Sequence, residues 1–442
     1  MARDATSTER GGRRVPAARI GRAAGLGAVG LRAVGAAAAG GLAALARGQR
    51  PDARALFLTP ANAARLAGEL ARMRGAAMKL GQMISMDAGA VLPAEIAAIL
   101  ERLREDADPM PPRQLRQVLD RAWGDGWLSG FARFDPRPLA AASIGQVHRA
   151  LLRDGRELAI KVQYPGVRRA IDADVDNLGS LLRLARALPP EVELDPLLAA
   201  AKAQLHEEAD YRREAGAAEA YRAALGDRPG FVVPVVERSL TTPDVLAMSF
   251  EPGAPLEVMD DAPQEARDAL ARRLIDLTLA ELFEMGLVQT DPNPANFRVR
   301  PETGEIVLLD FGATRRVSPD LAVRCGAMLR AGWSGDRAGI DRAGEALGLW
   351  DGTVPGDVRS ALLDMAEMAF SALCQPGVYD FAASTLIPDL VEAGLELGRE
   401  ARAGRPPPLD VLFLQRKVAG IYLIAARLRA RLDLAPILEG RV

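Results

Sequence analysis

Residues 288–297 read Val288-Gln289-Thr290-Asp291-Pro292-Asn293-Pro294-Ala295-Asn296-Phe297, and a little further on the chain reads Asp310-Phe311-Gly312. Upstream, Arg272–Met285 spaces Leu274, Leu277, Thr278, Glu281 and Leu282 as a helix, with Gly286 as its stop. Downstream, the turn Pro301-Glu302-Thr303-Gly304 joins two short strands, and the second, Ile306–Leu309, delivers Asp310. An Asp on a loop is usually a turn or cap residue, and a lone Asp-Phe-Gly arises by chance. Asp291, Asn296 and Asp310 together are harder to dismiss. They are hard oxygen donors suited to Mg²⁺ or Mn²⁺ on nucleotide phosphates, with Asn296 and Asp310 as the metal pair. Asp291 can position or deprotonate an acceptor hydroxyl.

Asp291 and Asn296 have the spacing of the protein-kinase loop H-R-D-x-x-x-x-N, which precedes D-F-G in that pattern. The earlier parts of the pattern occur in order. Ile144–Leu152 and Glu157–Gln163 read as strands, joined by Arg153-Asp154-Gly155-Arg156, a hairpin signal. Ahead of them stands Ala140-Ala141-Ala142-Ser143-Ile144-Gly145-Gln146-Val147. It fits G-x-G-x-x-G-x-V with Ala140 and Ala142 in the first two glycine positions, and with Gly145 and Val147 in the last two. Leu158-Ala159-Ile160-Lys161 matches V-A-I-K. A lysine on a rigid strand neutralises phosphate oxygens as a point charge, and a carboxylate must hold it. The charged helical segment 195–225 offers Glu208, with Glu207 as its rival. Two further strands are predicted at Phe231–Glu237 and Val245–Phe250. Ser249, Phe250 and Glu251 then lie at a crossing between lobes, marked by Pro252-Gly253, where backbone groups can meet an adenine edge.

Composition limits the alternatives. The chain has 442 residues, 49% hydrophobic and 26% charged, enough for two or three domains. Two cysteines exclude a disulfide framework and a Cys-rich zinc site. Two histidines, His148 and His206, are too few for a His-ligated metal centre. The net charge of −2 hides nine Arg against Asp4 and Glu9 in residues 1–50, so this arm is +7 and the rest is −9. A basic arm on an acidic body implies an anionic partner for the arm and no nucleic acid on the body.

Residues 20–48 are rich in Ala and Gly but interrupted by Arg22, Arg32 and Arg47, too short an apolar run for a spanning helix. They are also a poor signal peptide. A basic amphipathic helix on an anionic membrane surface is one reading, and a loose tail before a packed helix is the plainer one. The expected location is cytoplasmic, peripheral to the inner face of a membrane. Next, Leu66, Leu70, Met73, Ala77, Leu80 and Ile84 form an amphipathic stripe, with Lys79, Gly81 and Gln82 beside it. Alone, that polar pair reads as a solvated helix edge. Pro109, Pro111 and Pro112 mark a linker, with a domain boundary near 110–125. Near the C-terminus, Val411–Leu428 reads as a core-facing helix containing Arg416 and Lys417, and the final helices carry no chemical motif.

With these motifs in place, the chain resembles the UbiB/AarF (ADCK) family of atypical kinases, from about residue 60 to the C-terminus. Lys79-Leu80-Gly81-Gln82 resembles that family's K-x-G-Q motif, and Ala140–Ser143 its Ala-rich replacement of the Gly-rich loop. Glu208-Ala209-Asp210 resembles its E-x-D motif, which favours Glu208 over Glu207 as the partner of Lys161. The resemblance implies an α+β, two-lobed protein-kinase-like fold. Its small antiparallel-sheet N-lobe (126–252) carries the E-x-D insertion. Its helical C-lobe (253–442) carries the catalytic loop. A helical K-x-G-Q extension (56–125) follows the basic arm (1–55) and folds over the pocket, turning Lys79 and Gln82 toward the nucleotide. It further implies ATP or ADP with a divalent metal, a role in isoprenoid-quinone or related lipid metabolism, and ATPase rather than protein-kinase behaviour. An anionic membrane lipid or a quinone-type lipid is the implied partner. The family loop is close to H-x-D-x-H-P-G-N. Here Gln289, Asn293 and Ala295 replace the two histidines and the glycine, and Ser249 stands where an acidic residue is common. These departures motivate an alternative, a nucleotide-binding scaffold without turnover.

Overall fold

The computed structural model describes residues 110–142, 144–184, 194–374, 377–400 and 407–439. The basic arm, the extension up to residue 109 with Lys79, Gly81 and Gln82, and Ser143 lie outside the described residues. Along the chain come α1 (Pro112–Trp123), β1 (Phe131–Phe134), β2 (Ala140–Ala142), β3 (Gly145–Leu152), β4 (Glu157–Gln163), α2 (Val167–Leu184), α3 (Leu194–Glu208), α4 (Tyr211–Leu225) and β5 (Phe231–Val232). Then follow β6 (Val245–Ser249), β7 (Ala254–Pro255), α5 (Gln264–Ala280), β8 (Leu287–Gln289), β9 (Phe297–Arg300), β10 (Glu305–Leu308) and β11 (Thr314–Arg316). The C-terminal part holds α6 (Pro319–Trp333), α7 (Arg337–Leu347), α8 (Gly356–Cys374), β12 (Val378–Asp380), α9 (Leu386–Glu400), α10 (Leu409–Arg427), β13 (Arg431–Asp433) and α11 (Ala435–Leu438). The class is α+β, in two units. One unit holds the described residues from 110 to 213 together with Val236–Phe250. The other holds Glu214–Val235 and the described residues from Glu251 onward.

The first unit is built on an antiparallel sheet of order β1-β3-β4-β6, with β2 also on β3. The predicted hairpin is its centre, in register from Gly145↔Gln163 to Leu151↔Glu157. Gly155 takes φ +89°, which a Cβ would resist, and Asp154 Oδ1 accepts the Arg156 N–H at 3.0 Å. Leu158, Ile160 and Val162 alternate onto one face and pack with Leu115, Val118 and Leu119 of α1. Residues 112–123, expected at a domain boundary, are therefore a core helix. Pro112 suits its first turn because the missing N–H would have no helical partner there.

A buried polar chain fixes the entry to this unit. The His148 Nδ1–H donates to the Asp135 carbonyl at 2.9 Å, Gln146 Nε2 donates to His148 Nε2 at 2.8 Å, and Gln146 Oε1 accepts the Met110 N–H at 2.8 Å. The carbonyl cannot donate, so this order sets a neutral His148 ring, which stacks on Phe134.

The second unit has a sheet of order β5-β10-β9-β7, a β8–β11 pair and a helical body. The segment Phe231–Glu237, expected as one strand, is strand over only part of its length. Only Phe231–Val232 is a strand, parallel to β10 in the second unit, while Val236 makes one bridge to Met248. The predicted turn at 301–304 joins β9 to β10, with Gly304 at φ +67°. Ser318 and Asp336 cap α6 and α7 through the N–H groups of Leu321 and Gly339. Leu321, Met328, Ile340, Leu347, Trp350, Leu363 and Val411 form the helical core.

Burial holds the His148 imidazole below its ordinary value, although the Asp135 carbonyl pulls the other way. The unfolded chain then takes up its proton at higher pH than the folded one. The contribution of the neutral ring is full above about pH 6.5, the unfolded value, and is lost as pH falls through the lower folded value. The urea midpoint should fall between pH 7 and 5.5, and His148→Asn should flatten that fall. An equal slope in the variant would exclude His148 as its source.

Candidate functional site

The chemistry-bearing residues of the second unit gather around Glu281. Here α5 passes into a π-helical turn, Glu281–Met285, closed by Gly286 at φ +61°. Such turns displace a side chain from the regular helical face. The Glu281 carboxylate is fully buried. Its Oε1 accepts the Tyr221 hydroxyl at 2.7 Å and the Gln289 N–H at 3.2 Å, and its Oε2 pairs with Lys417 Nζ at 2.8 Å. Burial, with the Glu281 charge beside it, raises the Tyr221 hydroxyl well above its ordinary range.

The loop after β8 is braced from both sides. Gln289 pairs with Thr314, joining the strand before Asp291 to the strand after Asp-Phe-Gly. Gln289 Nε2 donates to the Asp291 carbonyl at 3.0 Å and to the Asp310 carbonyl at 3.3 Å, so one amide ties the two loops. Asn296 Nδ2 donates to the Asp291 carbonyl at 3.1 Å and to its Oδ2 at 3.3 Å, so its amide oxygen is the atom that could face a metal. Asn293 Oδ1 caps the Pro294–Asn296 turn through the Ala295 N–H at 3.1 Å. Asp310 Oδ1 accepts the Gly312 N–H at 2.9 Å. Tyr221, Glu281, Gln289, Asn296, Asp310 and Lys417 line a cavity with room for about one water molecule. The buried Gln289 Oε1 has no hydrogen-bond partner among the described residues and suits such a water.

Helix α10, where no chemical motif was expected, supplies two cations. Lys417 holds Glu281, and Arg416 Nη2 donates to Asp291 Oδ1. Gly420 lets the helix lie against the loop, since a Cβ there would meet Pro292 Cγ at 2.1 Å. The sequence did carry a signal. Two consecutive cations amid the mostly apolar residues of a helix are costly to bury unless paired. Their partners lie more than a hundred residues away, and no local spacing reveals them.

The first unit holds the other predicted residues. Lys161 is buried on β4, its Nζ 5.2 Å from the centre of the Tyr211 ring, within cation–π range. Segment 195–225 is two helices, α3 and α4. Between them, Asp210 Oδ1 accepts the Arg212 N–H at 3.1 Å. Glu207 pairs with Arg213 at 2.7 Å, so of the two rivals it is Glu207 that Arg213 holds. Gln163 Nε2 donates to the Ala209 carbonyl at 2.6 Å, fixing Glu208-Ala209-Asp210 against β4.

Ala140–Ala142, expected as a phosphate loop, is a strand paired with Gly145–Val147. Alanine keeps these positions in the β region, where glycines would have left them loose. Gly145 sits where a Cβ would stand 2.3 Å from the Val162 carbonyl oxygen, so only glycine permits this strand spacing. The Ile144 carbonyl accepts the Tyr164 N–H at 2.9 Å, and Val147 pairs with Lys161. At the predicted crossing, Ser249 pairs with Leu158. The Phe250 N–H bonds the Glu157 carbonyl at 2.9 Å and is thereby withdrawn from any adenine edge. Glu251 pairs with Arg300 at 2.9 Å. Among the described residues, no group of three His, Cys, Asp or Glu could hold a metal alone, and no helix is long and apolar enough to cross a membrane.

A sequence profile of the ABC1 atypical kinase-like domain matches residues 102–343. Atypical kinase COQ8B, mitochondrial, of Rattus norvegicus is 37% identical over 433 residues, covering 95% of this chain and 80% of the relative. Atypical kinase COQ8, mitochondrial, of Saccharomyces cerevisiae is 35% identical over 428 residues, 96% of this chain and 85% of the relative. Atypical kinase coq-8, mitochondrial, of Caenorhabditis elegans is 37% identical over 385 residues, 85% of this chain but only 50% of the relative's own length. Among solved structures, the Rv3197–erythromycin complex from Mycobacterium tuberculosis superposes with a TM-score of 0.58 at 26% identity, over 82% of this chain and 90% of that one.

The buried pair yields a stability prediction. Lys417→Met leaves the Glu281 carboxylate without its cation and should cost about 3–5 kcal/mol in urea unfolding followed by tryptophan fluorescence. Adding Glu281→Gln should recover part of that loss. A single variant within 1 kcal/mol of wild type would show that the pair contributes little.

Proposed function

The chain belongs to the ABC1 atypical kinase-like family, and from that membership we propose that it is a Mg²⁺-dependent ATPase or kinase supporting isoprenoid-quinone or related lipid metabolism. A kinase-like fold implies nucleotide binding, and ATP is the nucleotide proposed. The observation that carries the proposal is the single Gln289 amide bonded to the carbonyls of both Asp291 and Asp310. The scaffold alternative began from the substitutions at Gln289 and Asn293. Both side chains brace the loop, which favours turnover.

Lys161 neutralises phosphate oxygens, with Glu208 as its carboxylate partner and Asp210 fixing the turn beside it. Residues 140–147 cover the nucleotide, and the backbone of Ser249 and Glu251 meets the adenine edge. The Asn296 amide oxygen and the Asp310 carboxylate hold Mg²⁺ or Mn²⁺. Two such donors plus phosphate oxygens are an ordinary Mg²⁺ set. A metal held by these two residues would supply positive charge to offset that on the phosphate oxygens. Asp291 orients a water or an acceptor hydroxyl and takes its proton as the new P–O bond forms and the bond to the β-phosphate oxygen breaks. After Asp-Phe-Gly, the chain passes through β11 straight into α6 at Pro319, which leaves little chain for docking a peptide and favours water or a small acceptor. Lys79 and Gln82 are assigned by resemblance to the nucleotide side of the helical extension.

Purified protein should hydrolyse ATP only with Mg²⁺ or Mn²⁺. Asp310→Asn should lower kcat by about 100-fold or more, the scale of one lost preorganised electrostatic contact. Unchanged hydrolysis would remove Asp310 from the metal. Robust binding with no hydrolysis would favour the scaffold instead.

The basic arm is proposed to hold the protein on an anionic membrane surface. Deleting residues 1–50 should weaken sedimentation with phosphatidylserine-containing liposomes at low salt, and added salt should weaken it in the full chain. Equal sedimentation of the two forms would refute the arm's role.

A further inference from the structure

The loop Asp291–Asn296 contains no cation of its own, since its residues are Asp, Pro, Asn, Pro, Ala and Asn. In phosphoryl transfer, negative charge is spread over the equatorial oxygens of the transferring group, and a positioned cation beside them stabilises it. The fold brings one there. Arg416 Nη2 donates to Asp291 Oδ1, the carboxylate assigned to the attacking hydroxyl or water, and the Arg416 side chain is 11% exposed. Its other terminal nitrogen, Nη1, is buried and has no hydrogen-bond partner among the described residues.

The guanidinium is held rather than loose. The next residue, Lys417, is locked to Glu281, and one turn later Gly420 seats the helix on Pro292. Asn296 holds the other Asp291 oxygen at 3.3 Å, so the carboxylate cannot swing away from the arginine. A guanidinium presents several N–H donors in a fixed plane, so one arm can hold a carboxylate while another takes a second anion. A donor left unsatisfied in a buried site costs free energy until an acceptor arrives.

We propose that Arg416 is a ligand of the terminal phosphoryl group, with Nη2 fixed on Asp291 and Nη1 donating to a γ-phosphoryl oxygen. This rests on the reading of the site as a phosphoryl-transfer centre. It assigns to the C-terminal helix the residue that distinguishes ATP from ADP, because only the triphosphate carries the group that Nη1 contacts.

The test measures binding of ADP and of a non-hydrolysable ATP analogue, each with Mg²⁺, to the full chain by calorimetry. Arg416→Gln should weaken the ATP analogue by about 10- to 100-fold, the scale of one charge-assisted hydrogen bond, and leave ADP within about twofold. Arg416→Lys keeps the charge but loses the two-armed geometry, and should fall between wild type and Arg416→Gln. Should Arg416→Gln fail to fold, Arg416→Lys carries the test, and it must still weaken the analogue relative to ADP. An unchanged ratio in the folded variant would overturn the proposal while leaving the nucleotide site intact. Tighter analogue binding in the variant would make Arg416 a plug on Asp291 and overturn it as well. Binding of neither nucleotide by wild type would instead defeat the phosphoryl-transfer reading, and the role of Arg416 with it.

Discussion

A carboxylate shut off from bulk solvent sets the terms for the second unit. Burying Glu281 alone would cost several kcal/mol, because nothing in an apolar interior replaces its hydration. The fold answers with two hydrogen-bond donors and one counter-charge: the Tyr221 hydroxyl, the Gln289 backbone N–H and the Lys417 ammonium. Each comes from a different element, α4, β8 and α10. The charge therefore acts as a junction, and moving any of these elements leaves a charged group stranded. Gln289 then passes the constraint on to Asp291 and Asp310.

That arrangement also explains why the loop tolerates its unusual residues. A neutral histidine at position 289 would present a single N–H in a fixed plane. The Gln289 amide reaches two carbonyls from a single nitrogen, while its backbone N–H binds Glu281. Asn293 has become a cap, a task suited to its short amide. The replacements thus keep the loop's geometry through different chemistry.

Much of the fold was legible locally. The Asp-Gly hairpin, the Pro301–Gly304 turn and the helix stop at Gly286 all rest on backbone conformations that a few adjacent residues dictate. The Asp291, Asn296 and Asp310 set was legible because its spacing is short. What escaped depended on distance. Phe231–Val232 has ordinary strand composition, and nothing local says that its partner is β10 rather than the first sheet. The prolines before residue 113 looked like a linker because their effect on a helix changes sign with position, breaking its interior but starting its first turn. Arg416 and Lys417 were visible as residues but silent as a motif.

The sequence separation between Asp291 and Arg416 has a consequence for synthesis. Residue 416 leaves the ribosome 125 positions after residue 291, a delay of roughly 6–25 s at typical elongation rates. Through that interval the nascent chain holds Glu281 without Lys417, and Asp291 without its arginine. A carboxylate that cannot be buried unpaired keeps the region from closing early. The second unit is thereby timed to consolidate only after residue 417 has been made, so a chain terminated before it would carry the acidic residues but remain unable to lock them in place.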